Sequence, residues 1–110
     1  MAESAEILQG TLELLILRTL ALQPMHGLGV SDRIKQVTHG VFVVKPGSLF
    51  PALHRLEQAG AIEGRWGESE NKRRAKYYRL TRAGRVRLAS EKRNWERVFG
   101  AVNLLLEAEL

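Results

Sequence analysis

The last quarter of the chain is the part of the sequence that most constrains the fold. Apolar residues recur there at helical spacing, and Thr81 is well placed to cap the first turn of a helix from Arg82 to about Leu106. Such a helix would be roughly 25 residues, or about 38 Å, long. Since 110 residues make one modest domain, this helix must project from it and find a partner. Its predicted apolar stripe consists of Val86, Ala89, Val98, Val102 and Leu105, with Trp95 and Phe99 beside it.

Three shorter helices are predicted before it. The segment from Ile7 to Leu22 is apolar on nearly every side, which indicates burial between the domain core and a partner subunit. A second helix is expected from Gly27 to Thr38, with Gly40 as its stop. The third begins at Lys45-Pro46-Gly47 and closes at Gly60. The predicted inward positions are Val30, Ile34 and Val37 in the second helix and Leu49, Leu53 and Leu56 in the third.

Two alternating segments, Ile62 to Trp66 and Ala75 to Leu80, are expected to pair as antiparallel strands joined by a long charged loop. The β-prone run Val41 to Val44 is expected to form a small edge strand. The fold class is therefore mainly α with a small β-hairpin: a winged helix-turn-helix followed by a long C-terminal helix. We assign residues 1–81 to a DNA-binding domain and residues 82–110 to a dimerisation helix of the same compact unit.

Charge is concentrated in one part of the chain. The net charge is +5 and the pI is near 10.1, but residues 65–97 alone carry +8, with twelve of the seventeen Lys and Arg residues. Such segregation is typical of a surface that binds a phosphate backbone, although a merely soluble basic surface is the simpler alternative. A basic helix that contacts a membrane surface or a protein partner is another alternative for residues 82–97.

The candidate DNA contacts follow from these two patterns. The outward face of the third helix would read base edges or phosphates, and the hairpin with its loop would contact the backbone. The predicted contacts are Ser48, Phe50, His54 and Arg55 on the helix and Asn71, Lys72, Arg73, Arg74, Lys76 and Tyr78 on the wing.

Other functions find little support in the sequence. The chain has no cysteine, so disulfides and thiolate metal sites are excluded, and the three histidines lack metal-ligand spacing. Gly27-Leu28-Gly29 lacks the third glycine of a dinucleotide-binding loop, and no nucleophile stands in a recognisable turn. The N-terminus is acidic and the apolar runs are too short to span a bilayer. We expect a cytoplasmic protein that is not an enzyme, with no cofactor, no metal and no membrane partner.

Four separated segments together resemble the PadR family of bacterial transcriptional regulators. They are Leu8-Gln9-Gly10-Thr11-Leu12, Met25-His26-Gly27-Leu28-Gly29, Gly47-Ser48-Leu49-Phe50-Pro51-Ala52-Leu53 and Tyr77-Tyr78-Arg79-Leu80-Thr81. The resemblance implies a dimeric, DNA-binding repressor of the short subgroup with a single C-terminal helix. Two positions depart from the family pattern: Phe50 stands where a tyrosine is usual, and Leu28 where an aromatic residue is common.

The resemblance also implies how the chain assembles. In this family the third helix lies in the major groove, the wing lies along the backbone or minor groove, and the C-terminal helix pairs with the first helix of the partner. In some members, paired aromatic residues of the C-terminal helices line a cavity for planar or phenolic compounds. The residues expected at the dimer interface or at such an effector site are Leu12, Leu15, Trp95, Phe99 and Val102. A non-specific DNA-coating protein and a basic-helix interaction protein remain the alternative functions.

Overall fold

The computed structural model describes residues 9–68 and 70–109. The three strands in these ranges form one antiparallel sheet, in which the last strand of the chain lies in the middle. The predicted plan of a winged helix-turn-helix with a long C-terminal helix is confirmed, while Ile7 and Leu8, predicted to begin the first helix, lie outside the described residues. The elements in chain order are α1 (Gln9–Leu22), β1 (Met25–His26), α2 (Gly27–Val37), α3 (Pro46–Gln58), β2 (Ile62–Glu68), β3 (Arg74–Leu80) and α4 (Arg82–Glu107).

Helix α1 lies at the centre of the domain. It buries one broad face, against which α2, α3, α4 and β3 all pack, while Arg18 and Leu22 on its other side are exposed. It ends at Leu22, two residues before Pro24, whose ring disfavours helical conformation in the residue before it. Its core residues, at most 4% exposed, are Leu12, Ile16, Leu17 and Leu20.

Helix α2 is closed by specific contacts at both ends. At its start the Nδ1 atom of His26 accepts a hydrogen bond from the Gly29 amide at 3.0 Å. At its end Gly40 adopts a left-handed conformation with φ of 79°, and its amide donates to the Lys35 carbonyl oxygen at 2.8 Å. Gly40 is therefore the stop that the sequence predicts. The prediction that Val37 faces the core is wrong, because this side chain in the last turn is 62% exposed.

The prediction of an edge strand at Val41 to Val44 is also wrong. This segment is irregular, and only Val44 is buried. The third strand is instead β1, in which Met25 pairs with Tyr78 and His26 with Tyr77. Strand propensity alone therefore did not determine which segment pairs with β3. The paired segment is the one directly before α2.

The wing hairpin begins where α3 ends. Gly60 closes α3 in a left-handed conformation with φ of 75°, as the sequence predicts, and the chain turns directly into β2. The hairpin is longer than predicted, since the register of β2 and β3 extends to the pair Glu68 and Arg74. Alternation places Ile62, Tyr78 and Leu80 on the buried face of the sheet.

Helix α4 packs on the domain through its N-terminal half. The Thr81 hydroxyl caps it by accepting a hydrogen bond from the Gly84 amide at 3.0 Å. Gly84 is buried against the backbone of Ala61, and a Cβ atom there would overlap the Ala61 carbonyl oxygen and lie 2.7 Å from Cδ1 of Leu80. From residue 92 onward nearly every side chain of α4 is exposed in the single chain.

We predict that Gly84→Ala lowers the free energy of unfolding by about 1–3 kcal/mol, because the added methyl group forces α4 away from Ala61. Gly100→Ala is the matched control. Its Cβ would meet nothing within 4 Å, so the better helix propensity of alanine should raise stability by up to about 1 kcal/mol. Urea denaturation of both variants measures the difference, and equal stabilities would contradict this account of the α4 docking.

Candidate nucleic-acid interface

Helix α3 presents a polar face to solvent on the side opposite its core stripe. Leu49, Leu53 and Leu56 are fully buried, as predicted. Ser48 and His54 are exposed, in agreement with their predicted outward positions. Pro51 lies on the same face, within the first turns, where the missing amide proton costs little. The exposed residues of this face are Gly47, Ser48, Pro51, His54 and Gln58.

The N-terminus of α3 carries a cation that the sequence analysis did not single out. Lys45 is exposed at the N-cap position, and its side chain makes no capping hydrogen bond. The partial positive charge of a helix N-terminus adds to this ammonium group. Its place directly before Pro46 at the helix start was the signal that could have identified it.

Phe50 joins α3 to the start of α2. Its side chain is 45% exposed, and a Cβ atom added to Gly27 would lie only 3.0 Å from Cε1 of the ring. One part of the ring therefore packs against the α2 backbone, which holds the two helices at close distance. The remainder of the ring borders the outer face of α3, where a DNA contact was predicted.

Arg55 is only partly exposed, because its side chain pairs with an acidic residue of α1. Its side chain is 39% exposed, and Nε donates to Oε1 of Glu13 at 3.2 Å. Position 55 adjoins the buried stripe on the side where α3 packs against α1, while His54 faces solvent. A carboxylate that is only 12% exposed needs paired cations, and Arg55 supplies one of them.

Glu13 is the hub of an ion-pair chain that connects three helices. Its Oε2 atom accepts from Nη2 of Arg87 at 3.1 Å, and Nε of Arg87 donates to Oε1 of Glu91 at 2.9 Å. The ion-pair chain Arg55–Glu13–Arg87–Glu91 therefore runs from the recognition helix α3 through α1 to α4. The i, i+4 spacing indicates the Arg87–Glu91 pair, but no spacing indicates the two pairs made by Glu13, because their members come from separate parts of the chain.

A second ion pair fastens the wing to α3. The Nζ atom of Lys76 donates to Oε1 of Glu57 at 2.9 Å, and Oε2 of Glu57 accepts from the Gly64 amide at 3.2 Å. The hydrogen bond to Glu57 raises the pKa of Lys76 above its ordinary value, so the Lys76 ammonium group is charged at neutral pH. Gly64 makes the arrangement sterically feasible, since a Cβ atom there would collide with the Lys76 side chain.

Two predicted wing contacts are therefore corrected. Lys76 is half-buried and its charge is compensated by Glu57, so it holds the hairpin at a set angle to α3. Tyr78 is 7% exposed and belongs to the core, and this burial raises the pKa of its phenol. The strand alternation that places Leu80 inward places Tyr78 inward as well.

The remaining wing candidates gather at the tip of the hairpin, where Asn71, Lys72, Arg73 and Arg74 are all exposed. Lys72 adopts a left-handed conformation with φ of 56°, which is unusual for a residue with a side chain. Trp66, which the sequence analysis did not place in the site, is 60% exposed, and the guanidinium carbon of Arg74 lies 4.5 Å from the centre of its ring. An exposed tryptophan beside a basic run was the available signal.

The candidate interface residues of α4 form an unpaired apolar stripe. Trp95, Phe99 and Val102 are 44%, 51% and 48% exposed, and the two aromatic rings stack at 5.7 Å between centroids. The corresponding prediction for Leu12 is wrong, because this side chain is 4% exposed within the core of its own chain. Leu15 is only partly buried and packs on the edge of that core.

A cavity of about 370 Å³ lies where α1 meets this stripe. Glu91 reaches it from the end of the ion-pair chain, and its Oε2 atom is buried without a hydrogen-bond partner in the described part of the protein. The cavity therefore has an aromatic ring and a carboxylate residue in its lining. Its lining consists of Gly10, Thr11, Leu14, Glu91, Asn94, Trp95 and Val98.

The whole arrangement, a helix-turn-helix with a cationic wing and a projecting helix, also has relatives among known proteins. Residues 16–90 match the model of the transcriptional regulator PadR-like family. This chain belongs to the PadR-like family. PadR-family proteins are transcriptional regulators with a DNA-binding winged-helix fold, and the resemblance noted in the four sequence segments is confirmed.

Individual PadR-type relatives agree with this assignment. A transcriptional regulator of Mycobacterium tuberculosis is 33% identical over 83% of this chain and 81% of its own length. The crystal structure of a PadR-like transcriptional regulator from Bacillus cereus is 32% identical, with a TM-score of 0.80 over 96% of this chain and all of that one. A transcriptional regulator from Clostridium thermocellum is 30% identical, with a TM-score of 0.79 over 86% of this chain and 92% of that one.

Residues 9–68 and 70–109 contain no group of three or more His, Cys, Asp or Glu side chains that could hold a metal ion. None of the helices in the described ranges combines the length and apolar character that crossing a bilayer requires.

We predict that Glu13→Gln lowers the free energy of unfolding by about 1–3 kcal/mol, because Arg55 and Arg87 lose their shared, largely buried partner. In a double-mutant cycle, Arg55→Ala should cost markedly less in the Glu13→Gln background than in the wild type. Denaturation curves measure both effects. Glu63→Gln, which affects two exposed wing ion pairs, is the control and should change stability little. Additive effects of the Glu13 and Arg55 substitutions would contradict the pairing.

Proposed function

We propose that this PadR-like regulator is a homodimeric repressor that binds a pseudo-palindromic operator within a promoter. The observation that carries the proposal is the exposed outer face of α3 beside a cationic wing tip, both on one side of a chain whose longest helix bears an unpaired apolar stripe. Repression would follow from occupation of the promoter.

On the DNA side, α3 would enter the major groove with its N-terminal half closest to the bases. Ser48 and His54 are the exposed residues able to form hydrogen bonds with base edges or phosphates, and Lys45 would contact the backbone at the helix start. The wing residues Asn71, Lys72, Arg73 and Arg74 would contact the backbone beside the groove. Arg55 and Lys76 would act indirectly, by holding α3 and the wing in position.

On the dimer side, the stripe of α4 would pack against a second copy of the chain. Near the start of α4, Gly84 and Leu88 pack on the domain core, and the same side of the helix continues outward as Trp95, Phe99 and Val102. Large apolar side chains that are about half exposed favour burial against a partner. A two-fold pair of chains would present two α3 helices about one DNA turn, roughly 34 Å, apart.

The operator is best sought with a randomised duplex pool incubated with the purified protein at near-physiological salt, followed by sequencing of the bound molecules. Enrichment of an inverted repeat with half-sites one helical turn apart would support the proposal. Binding without enrichment would indicate a non-specific DNA coat, and absence of DNA binding would direct the search to a protein or membrane partner of the basic helix.

We predict that Val102→Asp converts the dimer to a monomer and weakens binding to the selected operator by at least about 100-fold, because a buried carboxylate would have no partner and the two half-sites would no longer be bound together. Leu104→Asp is the control, because this 74% exposed residue lies on the opposite side of α4 and should leave both properties unchanged. Analytical ultracentrifugation and DNA titrations measure the two properties. A dimeric Val102→Asp protein would contradict the proposed interface.

The cavity beside Trp95 supports a further part of the proposal: a planar or phenolic effector releases the DNA. A flat ring would stack against Trp95, and a phenolic hydroxyl would donate to the carboxylate of Glu91. Because Glu91 ends the ion-pair chain that reaches Arg55 on α3, a changed position of Glu91 can alter how α3 sits on the domain. An effector can act only by binding the DNA-free arrangement more tightly than the DNA-bound one.

We predict that 2-naphthol, used as a planar phenolic probe, quenches the fluorescence of the Trp66→Phe protein, in which Trp95 is the remaining tryptophan. The reciprocal Trp95→Phe protein should show little quenching, since Trp66 lies on the wing. Glu91→Gln should weaken the binding of 2-naphthol several-fold, because a carboxylate accepts a hydrogen bond from a hydroxyl group more strongly than an amide oxygen does. Equal quenching of both tryptophans would contradict a site at Trp95.

A further inference from the structure

The wing carries an exposed aromatic side chain, Trp66, that belongs neither to the core nor to the ion pair between Lys76 and Glu57 of α3. Trp66 lies on β2 opposite Lys76, on the face of the hairpin that includes Tyr78 and Ile62. Closer to the domain the side chains on this face, such as Ile62 and Tyr78, are buried in the core. Trp66 lies further along the hairpin, beyond the core, and its side chain is 60% exposed. The indole therefore stands on the side of the wing that adjoins α3.

Arg74 makes this ring part of a composite surface. Arg74 pairs with Glu68, which lies two residues after Trp66 on the same face of the hairpin. The guanidinium carbon of Arg74 lies 4.5 Å from the centre of the Trp66 ring. Stacking of this kind orients the planar guanidinium group and keeps its N–H donors at the edge of the ring. An apolar surface and a directed cation are thus held next to each other.

A shallow depression of about 360 Å³ runs between these side chains and the hairpin tip. Lys72 forms its outer rim in the left-handed conformation with φ of 56°, where glycine or asparagine would be less strained. This strained backbone conformation places the ammonium group of Lys72 at the rim of the depression. We call this depression the wing-tip shelf; it is lined by Trp66, Gly67, Glu68, Lys72 and Arg74.

We propose that the wing-tip shelf receives one sugar-phosphate unit of the DNA backbone, with the Trp66 ring against the deoxyribose and the Arg74 and Lys72 cations on the adjoining phosphate. The inference rests on the proposed operator binding, to which it adds an uncharged anchor. In a closed duplex the bases are stacked and paired, so the C–H surface of the sugar is the apolar group that an indole on the backbone side can reach.

The dimensions of the hairpin agree with this placement. Its seven-residue strands are about 23 Å long at roughly 3.3 Å per residue. The ion pair between Lys76 and Glu57 fixes their direction relative to α3. With α3 in the major groove, the centre of the neighbouring minor groove is half a DNA turn, roughly 17 Å, away. The backbone between the two grooves therefore lies within reach of the wing face that carries Trp66.

The charges on the shelf determine how binding should respond to salt. A contact between an indole and a sugar releases no counterions, whereas each cation on a phosphate adds to the slope of log affinity against log salt. Glu68 is the one acidic side chain of the shelf, and it reduces the attraction of the two cations for a phosphate. Substitutions at these positions should therefore separate an uncharged contribution from an ionic one.

The test is a salt titration of binding to the selected operator. Trp66→Ala should weaken binding roughly five- to tenfold at every salt concentration and leave the slope unchanged, while Trp66→Phe retains most of the affinity. Arg74→Ala should lower the magnitude of the slope by about one, and Glu68→Gln should strengthen binding. Arg79→Ala is the matched control: this exposed arginine of β3 lies on the opposite face of the hairpin, paired with Glu63, and should change neither quantity.

Unchanged affinity of Trp66→Ala would overturn the inference, as would a loss equal to that of Arg79→Ala. If Trp66→Ala fails to fold by circular dichroism, the emission of Trp66 in the Trp95→Phe protein supplies the second measurement. DNA should shift that emission to shorter wavelength and shield it from acrylamide, and an unaltered emission in bound complexes would overturn the inference. Because a sugar-phosphate contact is independent of sequence, the shelf can be tested on random duplex DNA even if no operator is enriched.

Discussion

The structure depends on the burial of a helix that has almost no polar side. Leu12, Ile16, Leu17 and Leu20 form one broad buried face of α1, and α2, α3, α4 and β3 all pack against this helix. The remaining helices and β3 therefore assemble around α1. This explains how a chain of 110 residues, with three short helices and a small sheet, obtains one contiguous core.

The same burial accounts for the electrostatics of the domain. Glu13 is the charged residue that α1 carries into this packed centre, and a carboxylate there is tolerated only with cations at hydrogen-bond distance. Arg55 and Arg87 meet this requirement, so the pairs that neutralise Glu13 also define how α3 and α4 sit on α1. The ion pair between Glu57 and Lys76 likewise defines how the wing sits on α3. Arg55, Arg87 and Lys76 are thus cations whose ion pairs join separate elements, whereas Lys45 at the start of α3 and Lys72 at the wing tip are exposed.

Local patterns predicted the elements well and the partners of individual side chains poorly. The spacing of Leu49, Leu53 and Leu56 identified the buried face of α3, and Gly40 and Gly60 marked the helix ends, because these features depend on residues a few positions apart. The β-prone run at Val41 to Val44 failed as a strand, since pairing requires an edge of the sheet within reach and β1 occupies it. The ion pairs of Arg55 and Lys76 were not predicted, because their acidic partners lie 42 and 19 residues away.

By itself the sequence determined the element order, the amphipathic faces, the concentration of positive charge in residues 65–97 and the PadR-like signature. All of these follow from composition and from spacings within one turn or one strand, where the chain's own geometry dictates which side chains are neighbours. Only the tertiary structure decided which cations are exposed, that Tyr78 and Leu12 are core residues, and that Trp66 and Arg74 stack at the wing tip. These depend on contacts between separate segments, and such contacts exist only after α1 has been buried and the other elements have taken their places around it.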